Sequence, residues 1–293
     1  MRSNNVLGFI FAATLDDKIP ELASSRTTAS VPIGGKYRII DFDLSNMSNS
    51  GISNVGIVAK SNFQSLMDHV GSGSAYDLSK RRSNLSILPP YDGKAFSSFV
   101  ETIYNMHGYI EHCREEYVLI SQGNVITNID YTDVFDFHSK KKADITLIYK
   151  NHAIPQGYDR PITLDVDNDG KVNQIFVKPG VVDKGVFNHA YGSILIKKDL
   201  LMSEIRNAIS VNQLDVKRLL QSSLGKYSIY AYENKGYCAA ISSINDYFEF
   251  NMDLMKKEVR DELFNPQRPI YTKVRDDAPS RYGLTSNVKN SII

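Results

Sequence analysis

The stretch Pro32-Ile33-Gly34-Gly35-Lys36-Tyr37-Arg38-Ile39-Ile40-Asp41-Phe42 is the most informative part of this chain. It leads into an apolar pattern of helical period from Phe42 to Asn49, and a buried-strand pattern from Val6 to Phe11 precedes it. A loop that holds phosphate after a first strand needs glycines, because backbone N–H groups must approach the phosphate closely. The segment Ala12-Ala13-Thr14-Leu15-Asp16-Asp17-Lys18 has no glycine and two carboxylates, so it is poorly suited to that task.

Composition restricts the class of protein. The chain has 293 residues, 42% of them hydrophobic and 23% charged, as in an ordinary soluble globular protein. The net charge of +1 argues against a dedicated nucleic-acid or membrane-surface binder. No apolar run in the sequence is near 18 residues long, and we expect no signal peptide. Two isolated cysteines, Cys113 and Cys238, exclude a zinc cluster and suit a reducing compartment, so we expect a cytoplasmic location.

Strand and helix patterns alternate over the first 150 residues. Strands are predicted at 54–58, 117–121 and 145–149, and helices at 42–49, 62–70, 96–112 and 133–142. Alternation at this spacing predicts an α/β fold with a mostly parallel, doubly wound sheet.

The pattern changes after Lys150. The turn Asp167-Asn168-Asp169-Gly170 lies between two strand patterns and predicts a β-hairpin in which glycine supplies a positive φ. Alternating aspartates at 165, 167 and 169 also resemble a calcium loop, but such a loop needs a glutamate six residues beyond its glycine, and none is there. A strand is predicted at 192–196, and helices are predicted at 200–210, at 215–224 and after Ser243.

Composition changes again near Glu262. Three prolines at 266, 269 and 279 among polar residues predict a linker. Residues 286–293 begin an alternating pattern typical of a first β-solenoid coil, which needs neighbouring coils to bury its faces. We therefore divide the chain into a domain at 1–262 and a linker with the first solenoid coil at 263–293.

The run Gly34–Phe42 resembles bacterial glucose-1-phosphate adenylyltransferase (ADP-glucose pyrophosphorylase). The resemblance continues in order along essentially the whole chain, at Leu44-Ser45-Asn46, Asn49–Ile52, His69–Ser74, Leu88–Tyr91, Ile129-Asp130-Tyr131, Asn251–Leu254 and Ser286-Asn287-Val288. It implies a nucleotidyltransferase (Rossmann-like) α/β domain with a mixed, mainly parallel sheet and helices on both faces. The start of a left-handed β-helix, truncated here, would follow. The family makes ADP-glucose from ATP and glucose 1-phosphate with Mg²⁺, as a tetramer, for glycogen synthesis.

The ATP-binding elements of that family are replaced in this chain. The family loop G-G-x-G-x-R-L corresponds to Ala12–Leu22, which has no glycine and no arginine. A carboxylate about 4 Å from a phosphate charge costs up to roughly 4 kcal/mol at an effective dielectric constant of 20, so Asp16 and Asp17 disfavour a triphosphate there. The family's base motif G-T-A-D-A aligns with Ser98–Thr102, where we expect Phe99 to close the base slot.

Both metal-binding aspartates that the resemblance implies are also replaced. The first aligns with Asn124 and the second with Ala240. Mg²⁺ in such sites relies on carboxylates together with substrate phosphates, and a methyl group cannot replace a carboxylate. We therefore expect no catalytic residue, metal or cofactor in this chain, with Mg²⁺ needed only by a catalytic partner.

Some anion contacts of the family are kept. Lys178 aligns with a lysine that neutralises the sugar phosphate, although Val177 replaces the glutamate before it, and Gly192 matches a glycine beside the sugar. Lys36 and Arg38 are further candidate anion contacts. The alternatives are a solvated strand-end lysine at 178 and surface charges at the start of a helix.

A kept scaffold with lost chemistry resembles the GlgD-type subunit, which occurs beside a catalytic subunit in Gram-positive bacteria. We expect a non-catalytic regulatory subunit that forms a hetero-oligomer, a heterotetramer by analogy, with a catalytic glucose-1-phosphate adenylyltransferase. Two alternatives remain open. One is a weakly active adenylyltransferase, and the other is a sugar-phosphate or nucleotide sensor that acts through Lys36, Arg38 and Lys178.

Overall fold

A nine-stranded sheet forms the centre of the fold. The structure is a computed structural model that describes residues 3–12, 18–59, 62–79, 83–89, 98–153, 161–177, 185–274 and 283–287. Within them the strands are β1 (Val6–Phe11), β2 (Pro32–Ile33), β3 (Tyr37–Arg38), β4 (Asn54–Val58), β5 (Asn84–Leu88), β6 (Tyr117–Ser121), β7 (Val125–Thr127), β8 (Ile145–Ala153), β9 (Ile162–Val166), β10 (Val172–Val177), β11 (Val186–Lys197), β12 (Ile229–Glu233) and β13 (Cys238–Ala240). The α-helices are α1 (Pro20–Ala23), α2 (Ile39–Asn49), α3 (Gln64–Val70), α4 (Phe99–Asn105), α5 (His107–His112), α6 (Tyr131–Lys141), α7 (Lys198–Ser210), α8 (Val216–Ser223), α9 (Ile244–Asp253) and α10 (Lys257–Leu263).

The central sheet is mixed, and most of its strands share one direction. Its main order is β12-β8-β11-β6-β1-β4-β5; β9 lies beside the first half of β11, and β10 lies beside β9. The pairs β1–β4, β1–β6, β4–β5 and β8–β12 are parallel, whereas β11 is antiparallel to β6, β8 and β9, and β10 is antiparallel to β9. Only β10 and β11 oppose the common direction, so the predicted α/β class with a mainly parallel sheet is confirmed.

Helices cover both faces of the sheet. One apolar core joins the sheet to α4, α5, α7 and α8 through side chains such as Ile103, Ile110 and Ile205. A second core joins the opposite face to α2, α3 and α6, with Leu44 and Phe135 among its fully buried members. Apolar residues at helical spacing thus give each helix one buried stripe. Because most strands share one direction, their carboxyl ends lie at one open edge of the sheet.

Several predicted elements have different bounds in the structure. The helix predicted at 96–112 is two helices separated at Met106, and Ser98 caps the first by accepting the backbone N–H of Glu101 at 3.1 Å. The strand predicted at 192–196 is the last part of the 12-residue β11. Helix α2 begins three residues earlier than its apolar pattern, because the Asp41 carboxylate accepts the Arg38 N–H at 2.9 Å and satisfies that helix-end donor.

The hairpin predicted around Gly170 is confirmed. Strands β9 and β10 pair antiparallel, and Gly170 has φ +84°. One oxygen of Asp167 accepts the backbone N–H groups of Asp169 and Lys171 at 2.8 and 2.9 Å. Asp169 pairs with Lys141. Asp167 therefore stabilises the turn and Asp169 joins it to α6. The calcium-loop alternative is not supported.

The residues after α10 lie against the domain. We call residues 264–274 the C-terminal strap. Asn49 Nδ2 donates to Pro269 O at 3.0 Å, the Tyr271 N–H donates to Ser45 Oγ at 2.8 Å, and Ile270 is 7% exposed. The boundary at 262/263 stays a prediction, and the first half of the predicted linker packs on α2.

The predicted start of the β-helix also stays a prediction, since residues 288–293 lie outside the described part of the chain. In the ranges given above, every helix is too short or too polar to pass through a bilayer.

Candidate functional site

The carboxyl ends of β1 and β6 mark the edge where an α/β sheet usually binds its ligand. Strand β1 ends at Phe11, and the Ala12 N–H continues its pairing by donating to Val58 O at 2.8 Å. The ring of Phe99 stacks on Phe11 with centroids 4.6 Å apart. An aromatic pair therefore occupies the end of the first strand, next to the segment that replaces the glycine loop. Residues 13–17, including Asp16 and Asp17, lie outside the described residues.

Asn124 and Ala240, which the resemblance aligns with two metal-binding aspartates, lie near the same small sheet. Strands β7 and β13 pair antiparallel with Val125 opposite Ala240. The Ile241 N–H donates to Asn124 O at 2.9 Å, and Asn124 Nδ2 donates to Ile241 O at 3.2 Å. Asn124 is 2% exposed and Ala240 is 5% exposed. Asn124, which immediately precedes β7, and Ala240 on β13 thus lie at the same end of this small sheet, although they are more than a hundred positions apart.

These residues do not fit a magnesium ion. Mg²⁺ demands an octahedral oxygen set that usually includes one or two carboxylates. The pair offers one neutral amide, whose nitrogen is bound to a backbone carbonyl, and one methyl group. Within the described ranges, His, Cys, Asp and Glu side chains form no group of three or more that could hold a metal. We therefore derive no metal-assisted step for this chain.

The sugar-side glycine lies under a glutamine. Gly192 has φ +86°, at the irregularity of β11 between Ala190 and Ile194. A Cβ atom at this position would lie 2.0 Å from Gln122 Nε2, so the amide of Gln122 rests directly on the glycine. Lys178 follows the last residue of β10 but lies outside the described residues, so its predicted role stays a prediction.

Three aromatic side chains pack beside that glycine. His152 Nε2 lies 3.3 Å from His189 Nδ1 and 2.5 Å from the Tyr191 hydroxyl. Burial and the charge of Lys150 lower the pKa of His152 to about 4. Burial, His152 and Lys217 lower the pKa of His189 to about 3. Both imidazoles are therefore neutral at physiological pH, and the cluster is a hydrogen-bonded core element.

The signature stretch forms one wall of a basic pocket. Strands β2 and β3 make a hairpin with the turn Gly34-Gly35-Lys36. Its glycines have φ +53° and +81°, a backbone conformation that residues with a Cβ atom rarely adopt. The hairpin and the C-terminal strap enclose a cavity of about 540 Å³. Its cationic lining residues are Arg26, Lys36, Arg38 and Lys273. Among the described residues that line it, none carries a carboxylate.

The structure therefore brings Lys36 and Arg38 together, and it places Gly192 elsewhere, on β11. It adds Arg26 and Lys273, which the sequence analysis did not assign to this pocket. Lys273 is more than 230 residues from the signature, and no local pattern indicates that the strap returns to it.

A buried carboxyl group, Asp43, was also missed. It lies in the first turns of α2, is 3% exposed, and accepts the Ser121 hydroxyl of β6 at 2.5 Å. Its other oxygen has no hydrogen-bond partner within the described chain. Burial raises the pKa of Asp43 to about 7, although the Ser121 hydrogen bond opposes that shift. Asp43 is a polar residue among apolar ones in a predicted helix, and the sequence pattern does not show that its side chain points inward.

Comparison with known proteins identifies the family. Residues 17–257 match the nucleotidyl transferase family model. The glycogen biosynthesis protein GlgD of Geobacillus stearothermophilus is 35% identical over 301 residues, covering 99% of this chain and 76% of that protein. GlgD of Bacillus subtilis is 29% identical over 297 residues, covering 100% of this chain and 76% of that protein.

A catalytic relative and a solved structure agree with this assignment. The glucose-1-phosphate adenylyltransferase of Clostridium acetobutylicum is 30% identical over 303 residues, covering 100% of this chain and 78% of that enzyme. A Bacillus anthracis structure described as a glucose-1-phosphate thymidylyltransferase has a TM-score of 0.70 at 13% identity, covering 89% of this chain and 98% of that one, and shows the same fold. The chain belongs to the nucleotidyl transferase family, in the group that contains GlgD and the glucose-1-phosphate adenylyltransferases.

Proposed function

We propose that this chain is a non-catalytic regulatory subunit that supports ADP-glucose synthesis by a glucose-1-phosphate adenylyltransferase. The role in glycogen biosynthesis agrees with the names of its relatives. The observation that carries the non-catalytic assignment is that Asn124, just before β7, lies beside the end of β13 that carries Ala240, and the resemblance assigns the two metal carboxylates to these positions. Without these carboxylates the charge that develops during phosphoryl transfer has no metal to stabilise it.

Three further observations support the proposal. The stacked Phe99 occupies the strand end where the base motif aligns. Gln122 covers the glycine that the family places beside the sugar. The loop that should hold the triphosphate contains no glycine. Each of these would weaken substrate binding on its own, and together they leave the scaffold without a complete substrate site.

The subunit would act through a shared interface. A partner can change the activity of an enzyme only if it makes different contacts with two states of that enzyme, which amounts to a coupling free energy between sites. We infer a cytoplasmic hetero-oligomer with the catalytic subunit, without Mg²⁺ in this chain.

Co-purification tests this part of the proposal. The chain and an untagged adenylyltransferase from the same organism should elute together at a fixed stoichiometry. Separate elution at micromolar concentrations would contradict a stable assembly. A weakly active enzyme is the rival, and it requires that the purified chain alone release pyrophosphate from ATP and glucose 1-phosphate, with loss of that activity when Mg²⁺ is chelated.

The basic pocket favours a second candidate function, an anion sensor. Four cationic side chains, at positions 26, 36, 38 and 273, line one cavity. Arg and Lys side chains in such a group bind phosphate oxygens through charge-assisted hydrogen bonds. Sugar phosphates or nucleotides are therefore the class of ligand that this pocket would take.

Calorimetry separates the sensor from a purely structural subunit. Fructose bisphosphate, glucose 1-phosphate and ATP are titrated into wild type and into Lys36→Gln, with Lys140→Gln on α6 as the control for an exposed lysine outside the pocket. A sensor requires binding that weakens at least about tenfold in Lys36→Gln and stays unchanged in Lys140→Gln. Equal binding by all three proteins would contradict a site in this pocket.

A further inference from the structure

Two cations of the basic pocket are bound to helix α3. Arg38 Nη1 donates to Ser65 O at 2.6 Å and to Ser65 Oγ at 2.7 Å. Lys273 Nζ donates to the backbone carbonyl of Asp68. Ser65 lies in the first turn of α3, and Asp68 lies in its last turn, where carbonyl groups lack partners inside the helix. The pocket thus uses half of its positive side chains to hold a neighbouring helix.

A buried carboxylate ties the same helix to the signature. Asp41 is fully buried, and one of its oxygens contacts His69 Nε2 at 2.6 Å and accepts the Tyr76 hydroxyl at 2.5 Å. Its other oxygen accepts the Arg38 backbone N–H at 2.9 Å. Asp41 therefore fixes the main chain of Arg38 and the end of α3 at once, whereas the Arg38 guanidinium and Lys273 hold α3 from the pocket side.

The contacts on the pocket side are replaceable. The acceptors on α3 are neutral carbonyl and hydroxyl oxygens, whereas a phosphate oxygen carries a negative charge and adds attraction between opposite charges to each hydrogen bond. A guanidinium can also bind a phosphate through two parallel N–H donors, which a single carbonyl oxygen cannot match. Lys36 and Lys273 are exposed, so an anion can reach the pocket without opening the fold.

We propose that an anion in the basic pocket competes with α3 for Arg38 and Lys273, so that occupancy loosens the backbone of this helix while the His69 side chain keeps its contact with Asp41. This inference rests on the anion-sensor function proposed above and adds how the pocket signals occupancy. Because coupling is reciprocal, weakening the grip on α3 must tighten anion binding by the same factor.

Inorganic pyrophosphate is the probe, used with the full chain. Ser65→Ala removes one acceptor of Arg38 on a half-buried surface position, and Ser222→Ala on α8 is the matched exposed control. We expect Ser65→Ala to bind pyrophosphate about three- to fivefold more tightly than wild type, with Ser222→Ala unchanged. We also expect amide hydrogens of residues 64–70 to exchange at least about fivefold faster when pyrophosphate is bound to wild type.

The outcomes separate this inference from the sensor function. Pyrophosphate binding with neither a tighter Ser65→Ala nor faster exchange in α3 overturns the inference and leaves the sensor function standing. Absence of binding to wild type at millimolar pyrophosphate overturns both.

Discussion

Folding changes the charge state of Asp43 near neutral pH. Burial raises its pKa from 3.8 to about 7. The unfolded chain therefore releases this proton first as the pH rises. The contribution of Asp43 to the free energy of unfolding is fully present below about pH 4 and is lost as the pH rises through about 7. Substitution by asparagine should remove this dependence, because the amide is never ionised and its oxygen can still accept the Ser121 hydroxyl.

The measurement is urea unfolding of wild type and Asp43→Asn at pH 5 and pH 7. We expect the wild type to lose, relative to Asp43→Asn, about 2 kcal/mol in free energy of unfolding between the two values. Asp133→Asn, at an exposed site on α6, controls for removal of a carboxylate. Parallel pH profiles for wild type and Asp43→Asn would show that Asp43 is ionised in the folded protein.

The pair His152 and His189 predicts the opposite trend. Their pKa values, about 4 and about 3, lie below the ordinary value of 6.5. The unfolded chain binds protons first as the pH falls. The contribution of the two histidines to the free energy of unfolding is therefore lost from about pH 6.5 down to about pH 4. Each histidine contributes a slope of up to about 1.4 kcal/mol per pH unit in this window.

The slope contributed by His189 is measured as the difference between wild type and His189→Asn. The variant should show a shallower loss between pH 6.5 and 4, even if its stability at pH 8 is lower. His107→Asn, at an exposed position of α5, is the control and should keep the wild-type slope. An unchanged slope in His189→Asn would mean that protonation of His189 does not lower the free energy of unfolding, which would contradict its lowered pKa.

The C-terminal strap behaves as part of the domain at the scale of elements. Arg268 pairs with Asp130 at 2.7 Å and donates to Ile129 O at 2.8 Å, and Ile270 is buried against the core that contains Phe42. Burying one isoleucine contributes about 1.5–3 kcal/mol, and each hydrogen bond adds about 1 kcal/mol.

Two truncations test where the domain ends. A chain that ends at residue 274 should unfold with the stability of the full chain, whereas one that ends at 262 should lose at least about 3 kcal/mol because the strap and Leu263 are removed. Guanidinium unfolding of both chains is the measurement. Equal stability would support the boundary at 262/263 that composition suggests.

The same elements show how far sequence reasoning reaches. Helix α2, strands β1, β4 and β6, and the hairpin at Gly170 are predictable because their signals are local: apolar periodicity and a turn glycine. Strand β5 is short and half polar, and periodicity does not distinguish it from a loop. Strand β12 was missed because its place beside β8 depends on pairing across more than 80 residues.

The candidate site divides in the same way. Asn124 and Ala240 could be named because a family pattern fixes their positions, and the structure places Asn124 beside the end of β13 that carries Ala240. The fourth cation of the basic pocket, Lys273, and the glutamine over Gly192 could not, because each depends on where a distant segment returns. Long-range contacts between loops carry no periodic signal in the sequence.

The whole molecule keeps the fold of the nucleotidyl transferase family. The sheet, both helical layers and the signature hairpin are in place, so under the proposed function a surface for assembly persists without a complete substrate site. The regulatory assignment therefore depends on what the chain does to a catalytic relative, and its own turnover is a secondary question.

The most direct test is a mixing assay. A catalytic adenylyltransferase from the same organism is held at a fixed, limiting concentration, and ADP-glucose formation is measured as this chain is added, with the chain alone and with heat-denatured chain as controls. We predict that the chain alone gives no Mg²⁺-dependent product and that the rate rises and saturates near a fixed ratio of the two subunits. A rate that stays constant at every ratio, or a Mg²⁺-dependent rate from the chain alone, would contradict the non-catalytic regulatory role.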